Sequence, residues 1–329
     1  MLQTPILLIT FNRPNHVRQV LSEILKQNPR DLYICQDGAR EYNTLDRVKC
    51  QEVRDVVNEL TSAYAISNKE FRLHTLYQEM NLGCGPGPAA GISWFFEQVE
   101  MGIVMEDDCL PHPDFFGYCE ELLQCYQNDK SIHVINAALY HDKWSCEASY
   151  GYSRYIIAGA WAGWKRTWKG FDLDVKKRNA WQFRKQVKRL TKSTTEANWW
   201  YWKLKEIQAD TSKKSYWDYQ MQMTLFRNGA MTIHPQKNLI SNIGFDVEGT
   251  HTLSNDGRGD REVFSILPLT HPSNRTINHP MDVDCFGKTK PQSCYRNAVQ
   301  FLYHYMLRSN GVLHALLMMY KKIKNKPVN

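Results

Sequence analysis

Pro5-Ile6-Leu7-Leu8-Ile9-Thr10-Phe11-Asn12-Arg13-Pro14 is a short apolar run that gives way to polar residues and then to a proline. The uncharged stretch Ile6–Thr10 suits a strand buried on both faces. Pro14 fits the first turn of a helix, where a missing N–H costs nothing. Val17, Val20, Leu21 and Ile24 then fall on one face of that helix, through Leu25. The alternation repeats. Leu32–Cys35 is a second strand, closed by the turn signal Gln36-Asp37-Gly38. Leu45–Leu60 carries Val48, Val53, Val56, Val57 and Leu60 at helical spacing, and Phe71–Tyr77 is a third strand. The break Gly83-Cys84-Gly85-Pro86-Gly87-Pro88 leads into a helix ending near Gln98, and Gly102–Met105 and Ile132–Ala137 are a fourth and fifth strand.

Strands alternating with helices predict a mainly parallel sheet covered on both faces. Ligands of such sheets bind beyond the carboxyl ends of the strands. That rule selects Thr10–Arg13, Gln36–Arg40 and Glu106–Leu110, which are predicted to meet in space. The middle of the chain differs. Nine of the ten tryptophans lie between Trp144 and Trp217, and Lys176–Lys214 reads as a basic, Trp-rich helical excursion. Ser293–Lys326 reads as two helical segments divided near Ser309-Asn310-Gly311.

With 329 residues, 43% hydrophobic and 23% charged, the chain has the composition of a globular protein with a sizeable core. This excludes collagen-like and low-complexity classes. No uncharged apolar run approaches the ~18 residues of a membrane span. Met1 is not followed by a basic region and a signal core, so the expected location is cytoplasmic. Nine scattered cysteines, with no C-x-x-C, argue against a disulfide framework or zinc ribbon. The net charge of +7 is concentrated: Lys176–Lys192 holds eight Lys/Arg and no acid, and so does the stretch from Cys285 onward. Such blocks suit an anionic surface or a solvated basic face. In the last segment, an apolar face around Leu313, Leu316 and Leu317 is followed by Lys321, Lys322, Lys324 and Lys326. This fits peripheral attachment to the anionic inner face of the cytoplasmic membrane, or docking on the α/β domain.

The sharpest chemical signal is Ile103-Val104-Met105-Glu106-Asp107-Asp108, an acid triplet at a strand end. Packing three carboxylates together is costly unless a cation neutralises them. A hard ion such as Mn²⁺ or Mg²⁺, shared with phosphate oxygens, fits such ligands. Alternatively, Asp108 caps the helix that begins near Pro113. Asp37 is placed to accept from an imide N–H such as N3 of uracil, or to stabilise its own turn. Arg13, just before a helix, suits a phosphate. Asp218, after Trp217, suits a general base or a helix N-cap. Trp161 and Trp164 fit either sugar stacking or the core.

Taken together, these residues resemble GT-A type glycosyltransferases, in particular the N-acetylglucosaminyltransferase I family and its bacterial relatives. The likeness runs over residues 4–252, through Pro5–Arg13, Gln36-Asp37-Gly38, Gly163-Trp164, Trp217-Asp218 and Pro235–His251. Its most specific piece is Glu106-Asp107-Asp108 followed by Pro113-Asp114-Phe115-Phe116-Gly117-Tyr118. The resemblance implies a GT-A catalytic domain over residues 1–260, with an insertion at 176–216 that has no counterpart in the family. A helical extension over 261–329 follows. It implies that Asp108 is the metal ligand and Asp218 the catalytic base of an inverting transfer. Donor contacts are implied at Thr10, Asn12, Arg13, Asp37, Glu106, Asp107, Gly163, Trp164, Trp217 and His251, with Ser241–His251 forming a loop over the donor.

The expected function is metal-dependent transfer of a sugar, GlcNAc first, from a UDP-sugar to a hydroxyl of a glycan or lipid-linked glycan, in bacterial surface polysaccharide synthesis. The enzyme alternative is a sugar-nucleotide nucleotidyltransferase, which needs a Gly-rich basic loop where this chain has Phe11-Asn12-Arg13-Pro14. The non-enzymatic alternative is a carbohydrate- or nucleic-acid-binding protein. Nucleic acid is disfavoured, because the acid triplet repels a phosphate backbone.

Overall fold

A computed structural model describes residues 1–139, 147–210, 216–245, 259 and 261–289. The first half follows the expected alternation: β1 (Ile6–Thr10), α1 (Pro14–Lys26), β2 (Asp31–Gln36), α2 (Thr44–Ser67), β3 (Arg72–Tyr77), α3 (Pro86–Gln98) and β4 (Met101–Glu106). Next come β5 (Cys109–Pro111), α4 (Asp114–Cys125), β6 (Ile132–Asn136), β7 (Tyr150–Ser153), β8 (Ala160–Trp164) and a short α5 (Lys165–Trp168). A helical hairpin, α6 (Ala180–Thr191) and α7 (Thr194–Ala209), precedes α8 (Asp218–Asn228), β9 (Met231–Pro235), β10 (Ile240–Asn242) and α9 (His279–Thr289). Helix α2 runs past the predicted end at Leu60. No Gly or Pro interrupts it before the C-cap at Asn68.

Among the described residues, eight strands form one sheet in the order β3-β2-β1-β4-β8-β6-β9-β7, while β5 and β10 make a separate two-stranded ribbon. Pairings β2·β3, β1·β2, β1·β4 and β6·β9 are parallel. Strand β8 runs antiparallel to both β4 and β6, and β7 runs antiparallel to β9. The mixed, mainly parallel sheet of the expected fold class is therefore present. Alternation along β1 shows why helices cover both faces. Ile6 and Leu8 pack into a layer with Val17, Val20, Val53 and Phe115 from α1, α2 and α4. Leu7 and Ile9 point the other way, into a layer with Ile92, Phe95, Met221 and Leu225 from α3 and α8. Each fully buried side chain of this kind contributes ~1.5–3 kcal/mol of transfer free energy.

Residues 1–285 make one compact unit. Within it, the segment after residue 260 is tied to the sheet region by hydrogen bonds. Asp114 Oδ2 accepts from Ser265 Oγ (2.6 Å) and Ile266 N (2.9 Å), and Asp282 Oδ1 accepts from Ser153 Oγ (2.6 Å) and Arg154 N (2.9 Å). Among the described residues no helix is long and apolar enough to cross a membrane. The two predicted C-terminal helical segments, the lysine cluster and Trp144 lie outside the described residues. Cys35, Cys50, Cys84, Cys109, Cys119, Cys125 and Cys285 are free thiols.

Candidate active site

The three stretches selected from the sequence do converge. Arg13 follows β1 and lies across the acid triplet that ends β4. Its Nη2 donates to Asp107 Oδ1, and its Nη1 donates to Asp108 Oδ2 at 3.1 Å. Phe11 N donates to Asp107 Oδ2 at 3.3 Å, fixing the same carboxylate from the β1 side. Gln36 Nε2 reaches Phe11 O at 2.9 Å, and Asp37 N reaches Thr10 O at 3.1 Å, so β2's end is sewn to β1's end. Thr10 is buried, and its hydroxyl donates to Cys35 O at 3.2 Å.

The electrostatics follow from this packing. Burial, together with Asp108 and Asp107, pushes the Glu106 carboxyl up to about 8, against the pull of Arg13. Burial and its two acidic neighbours thus make Glu106 hold a proton more readily than an ordinary carboxylate. Burial works against the Arg13 charge, but Asp107, Asp108 and Glu106 outweigh it and keep the guanidinium protonated. Asp218, at the first residue of α8, adds to the upward push on Glu106. The Cys84 thiol is also raised, by partial desolvation first and then by Asp218, Glu106 and Asp37. Cys84, in the Gly83–Pro88 break, is thus within electrostatic reach of all three carboxyl groups. Gly85 permits this approach: a Cβ there would come within 2.8 Å of the Tyr216 carbonyl, just ahead of α8.

Asp37 has a structural task. Its Oδ1 accepts from Gly38 N (2.9 Å) and Leu82 N (2.8 Å), and its Oδ2 accepts from Asn81 Nδ2 (2.9 Å) and Gly83 N (2.9 Å). The carboxylate therefore clasps the Asn81–Gly83 segment that leads into α3. Asn12 is buried and donates to Asp46 Oδ1 at 2.8 Å. Arg40 holds Asp46 with Nη2 at 2.9 Å and with Nε. The result is a concave cleft of about 190 Å³ lined by Asn12, Arg13, Arg40, Asn43, Leu45, Asp46 and Lys49. Three of these residues carry positive charge, and only Asp46 is acidic.

A lid of backbone closes over Asp108. Ile243 N donates to Asp108 O at 2.9 Å, continuing the antiparallel β5·β10 ribbon, and His16 Nε2 lies 3.1 Å from Ile243 O. Gly244 sits so close that a Cβ would lie 2.5 Å from Asp108 Oδ2 and 3.0 Å from Arg13 Nη1. Among the described residues no three His, Cys, Asp or Glu side chains gather into a site that holds a metal by protein ligands alone. Asp108, whose Oδ2 accepts from Arg13 Nη1 at 3.1 Å, is the carboxylate that would hold a hard ion, with phosphate oxygens supplying the rest of the shell.

Two expected donor contacts are corrected by the register. Strand β8 is antiparallel to β4, with Met101 opposite Trp164 and Gly102 opposite Gly163. Gly163 and Trp164 therefore lie at the amino end of β4, away from Glu106 by most of the strand, roughly 13–16 Å at ~3.3 Å per residue. Trp164 is a core residue, with the Arg166 guanidinium 4.0 Å from its ring centroid. Trp161 is likewise fully buried. The part of β8's approach that does reach the acids is Gly159, whose carbonyl accepts from Glu106 N at 2.7 Å. Trp217 is buried in the core layer beneath α8, 6.3 Å from the Trp168 ring. His251 lies outside the described residues.

Asn43, Lys49 and Gly159 escaped the sequence reading, whereas Arg40 and Gly244 fall inside the stretches it selected. Asn43 carried a signal: it is an N-cap residue whose side chain accepts from Leu45 N at 3.1 Å, which sets Lys49 on the first turns of α2. The others depend on register and close approach, which spacing alone does not show.

No protein-family model matches the chain, and no curated protein matches it. Distant likenesses to solved structures exist. One is to a mannosyltransferase, PcManGT from Pyrobaculum calidifontis, in complex with GDP-Man and Mn²⁺. Identity is 12% over 50% of this chain and 45% of that one, with a TM-score of 0.35. Another is to S. aureus TarS 1-349, with 11% identity over 74% and 61% of the two chains and a TM-score of 0.42. A third is to a UDP-glucose pyrophosphorylase complexed with UDP-glucose, with 10% identity over 75% and 95% and a TM-score of 0.42. The chain spans less than two thirds of the length of the first two. Likenesses this distant leave the chemistry to be read from the residues themselves.

Proposed function

We propose that this chain is a GT-A type glycosyltransferase that moves a sugar from a UDP-sugar, with UDP-GlcNAc the first candidate, to a hydroxyl of a glycan acceptor with inversion. One observation carries the reading: Arg13 lines a cleft with Arg40 and Lys49 and also binds the acid triplet beyond the ends of parallel strands β1, β2 and β4, within electrostatic reach of the α8 carboxylate. The basic wall of Arg13, Arg40 and Lys49 attracts the anionic donor, and Asn12 and Asp46 hold that wall in shape. Asp37 acts on the donor through the Asn81–Gly83 segment that it clasps. Glu106 offers its carboxyl group to a ribose hydroxyl. Asp218 takes the proton from the acceptor hydroxyl as its oxygen bonds to the anomeric carbon. The bond from that carbon to the phosphate oxygen breaks in the same displacement, and UDP leaves. Asp108 is the ligand for Mn²⁺ or Mg²⁺, which when bound neutralises charge developing on the leaving diphosphate. Attachment to a membrane and a role in surface polysaccharide synthesis belong to the same proposal.

The test is a thermal-shift panel of UDP-, GDP- and CDP-sugars with and without Mn²⁺, followed by product analysis. Stabilisation by a UDP-sugar that grows with Mn²⁺, and release of UDP from it, is the expected result. Release of pyrophosphate from UTP and a sugar phosphate, with no UDP release from any UDP-sugar, overturns it.

A further inference from the structure

The α6–α7 hairpin has no task in the chemistry above, yet its surface is built. Trp181 stands at the first turn of α6 with 51% of its surface exposed. It is nevertheless held in place. Asn179 Oδ1 caps the helix by accepting from Trp181 N (3.1 Å) and Gln182 N (3.0 Å). The Tyr201 ring of α7 packs 5.1 Å away at 44°. The Arg184 guanidinium sits 5.6 Å from the indole centroid, itself fixed by an Nε bond to Asn198 Oδ1 at 2.7 Å. Around this tryptophan the charge has one sign. Residues 176–192 hold eight Lys/Arg and no acid, and Lys185, Lys188, Arg189 and Lys192 are exposed. On α7, Glu206 is paired to Lys203 at 3.2 Å, and Glu196 is buried against the Tyr155 hydroxyl.

The hairpin is also joined to the helix that starts at Asp218. Gln186 Nε2 donates to Phe226 O (2.9 Å) and Arg227 O (2.6 Å) near the end of α8. Buried Lys203 places its ammonium 4.5 Å from the Tyr219 ring and 5.4 Å from the Tyr216 ring, on either side of Trp217-Asp218. The hairpin is therefore anchored to both ends of α8.

We propose that the α6–α7 hairpin is a docking platform for an anionic glycan, with Trp181 stacking on a sugar face and the surrounding lysines and arginines pairing with its carboxylate or phosphate groups. An exposed, pre-ordered indole suits the C–H face of a pyranose and binds with little ordering cost. The basic surround selects acidic over neutral chains. Single-stranded nucleic acid also uses aromatic and basic groups, but it needs successive stacking rings along a groove. Among the described residues, Trp181 is the one tryptophan exposed by half or more. That this glycan is the acceptor rests on the transferase reading; the binding does not.

The experiment measures binding of the full chain to polygalacturonate, to neutral dextran and to poly(U) by affinity electrophoresis at low and moderate salt. The variants are Trp181→Ala and the triple substitution Lys185→Gln, Lys188→Gln, Arg189→Gln, each checked for an unchanged melting temperature and unchanged UDP-sugar thermal shift. The expected result is polygalacturonate binding at least tenfold tighter than dextran, weakened by salt and reduced at least tenfold by each variant. Equal binding by wild type and variants overturns the platform, and so does tighter binding of poly(U) than of polygalacturonate. Variant-sensitive glycan binding without any UDP-sugar binding supports the platform and overturns the transferase reading alone.

Discussion

Replacing Asp37 with Asn separates a clasp from a base-reading carboxylate. The wild-type side chain accepts four hydrogen bonds, from Gly38 N, Leu82 N, Gly83 N and Asn81 Nδ2, all between 2.8 and 2.9 Å. Asparagine keeps one oxygen and turns an NH₂ group toward two of those donors. Two bonds are lost, and the other two fall from charge-assisted to neutral strength. A bond to a charged acceptor contributes ~1.5–3 kcal/mol and a neutral one ~0.5–1.5 kcal/mol. The cluster is only half-buried, so water recovers part of the loss. The net cost is about 2–4 kcal/mol, or about 3–7 °C in Tm for a unit of this size. Differential scanning fluorimetry measures this directly, and competition among UDP, CDP and GDP measures base preference in the same samples. The expected outcome is a clear drop in Tm, with all three nucleotides weakened together. An unchanged Tm with a shift in preference between UDP and CDP refutes the reasoning, because Asp37 then contacts the base itself.

Gly244→Ala forces a Cβ to within 2.5 Å of Asp108 Oδ2, so it should cost ~1–3 kcal/mol and weaken UDP-sugar binding at least fivefold by calorimetry. Wild-type affinity in that variant would show that the lid is free to move away from Asp108. Asp218→Asn should lower kcat by ~10²–10⁴ with little change in donor affinity; near-normal turnover would leave Asp218 as a first-turn acid of α8. Glu196, pushed up to about 7 by burial despite its bond from Tyr155, supplies a stability signature. The folded chain keeps a proton that the unfolded chain releases above ~4.5, so this contribution is full at low pH and is lost as pH rises through about 7. Asp282 is raised by burial too and acts in the same direction. Urea titrations from pH 5 to 8 should show this decline, and Glu196→Gln should flatten it; an equal slope in both proteins assigns it elsewhere.

Strand and helix identity in the first half was legible because each apolar run is short, uncharged and punctuated by Gly, Pro or Asn. Ile6–Thr10 and Met101–Glu106 are buried through most of their length, and the carboxyl-end rule for such strands places Arg13 beside Asp107 and Asp108, where it is found. The second half was opaque for a physical reason. Strands β7 (Tyr-Gly-Tyr-Ser), β8 (Ala-Trp-Ala-Gly-Trp) and β10 (Ile-Ser-Asn) lack the aliphatic, β-branched run that marks β1, so neither alternation nor propensity announces them. Without its antiparallel register, Gly163-Trp164 looks like a donor-site motif; with it, the pair lies at the amino end of β4, and it is the Gly159 carbonyl that reaches Glu106 N. Asp37 shows a second limit. Asp-Gly announces a turn, but the partner loop lies more than forty residues further on, at Asn81–Gly83, and spacing does not reveal that contact.

The most direct measurement is calorimetric titration of UDP-GlcNAc and other UDP-sugars into wild type and Asp108→Ala, each with and without Mn²⁺. Wild-type binding that strengthens with Mn²⁺, and an Asp108→Ala affinity at least tenfold weaker that no longer responds to the metal, is the predicted result. Binding that is equally tight in both proteins and indifferent to Mn²⁺ contradicts a metal-assisted sugar transferase centred on the end of β4.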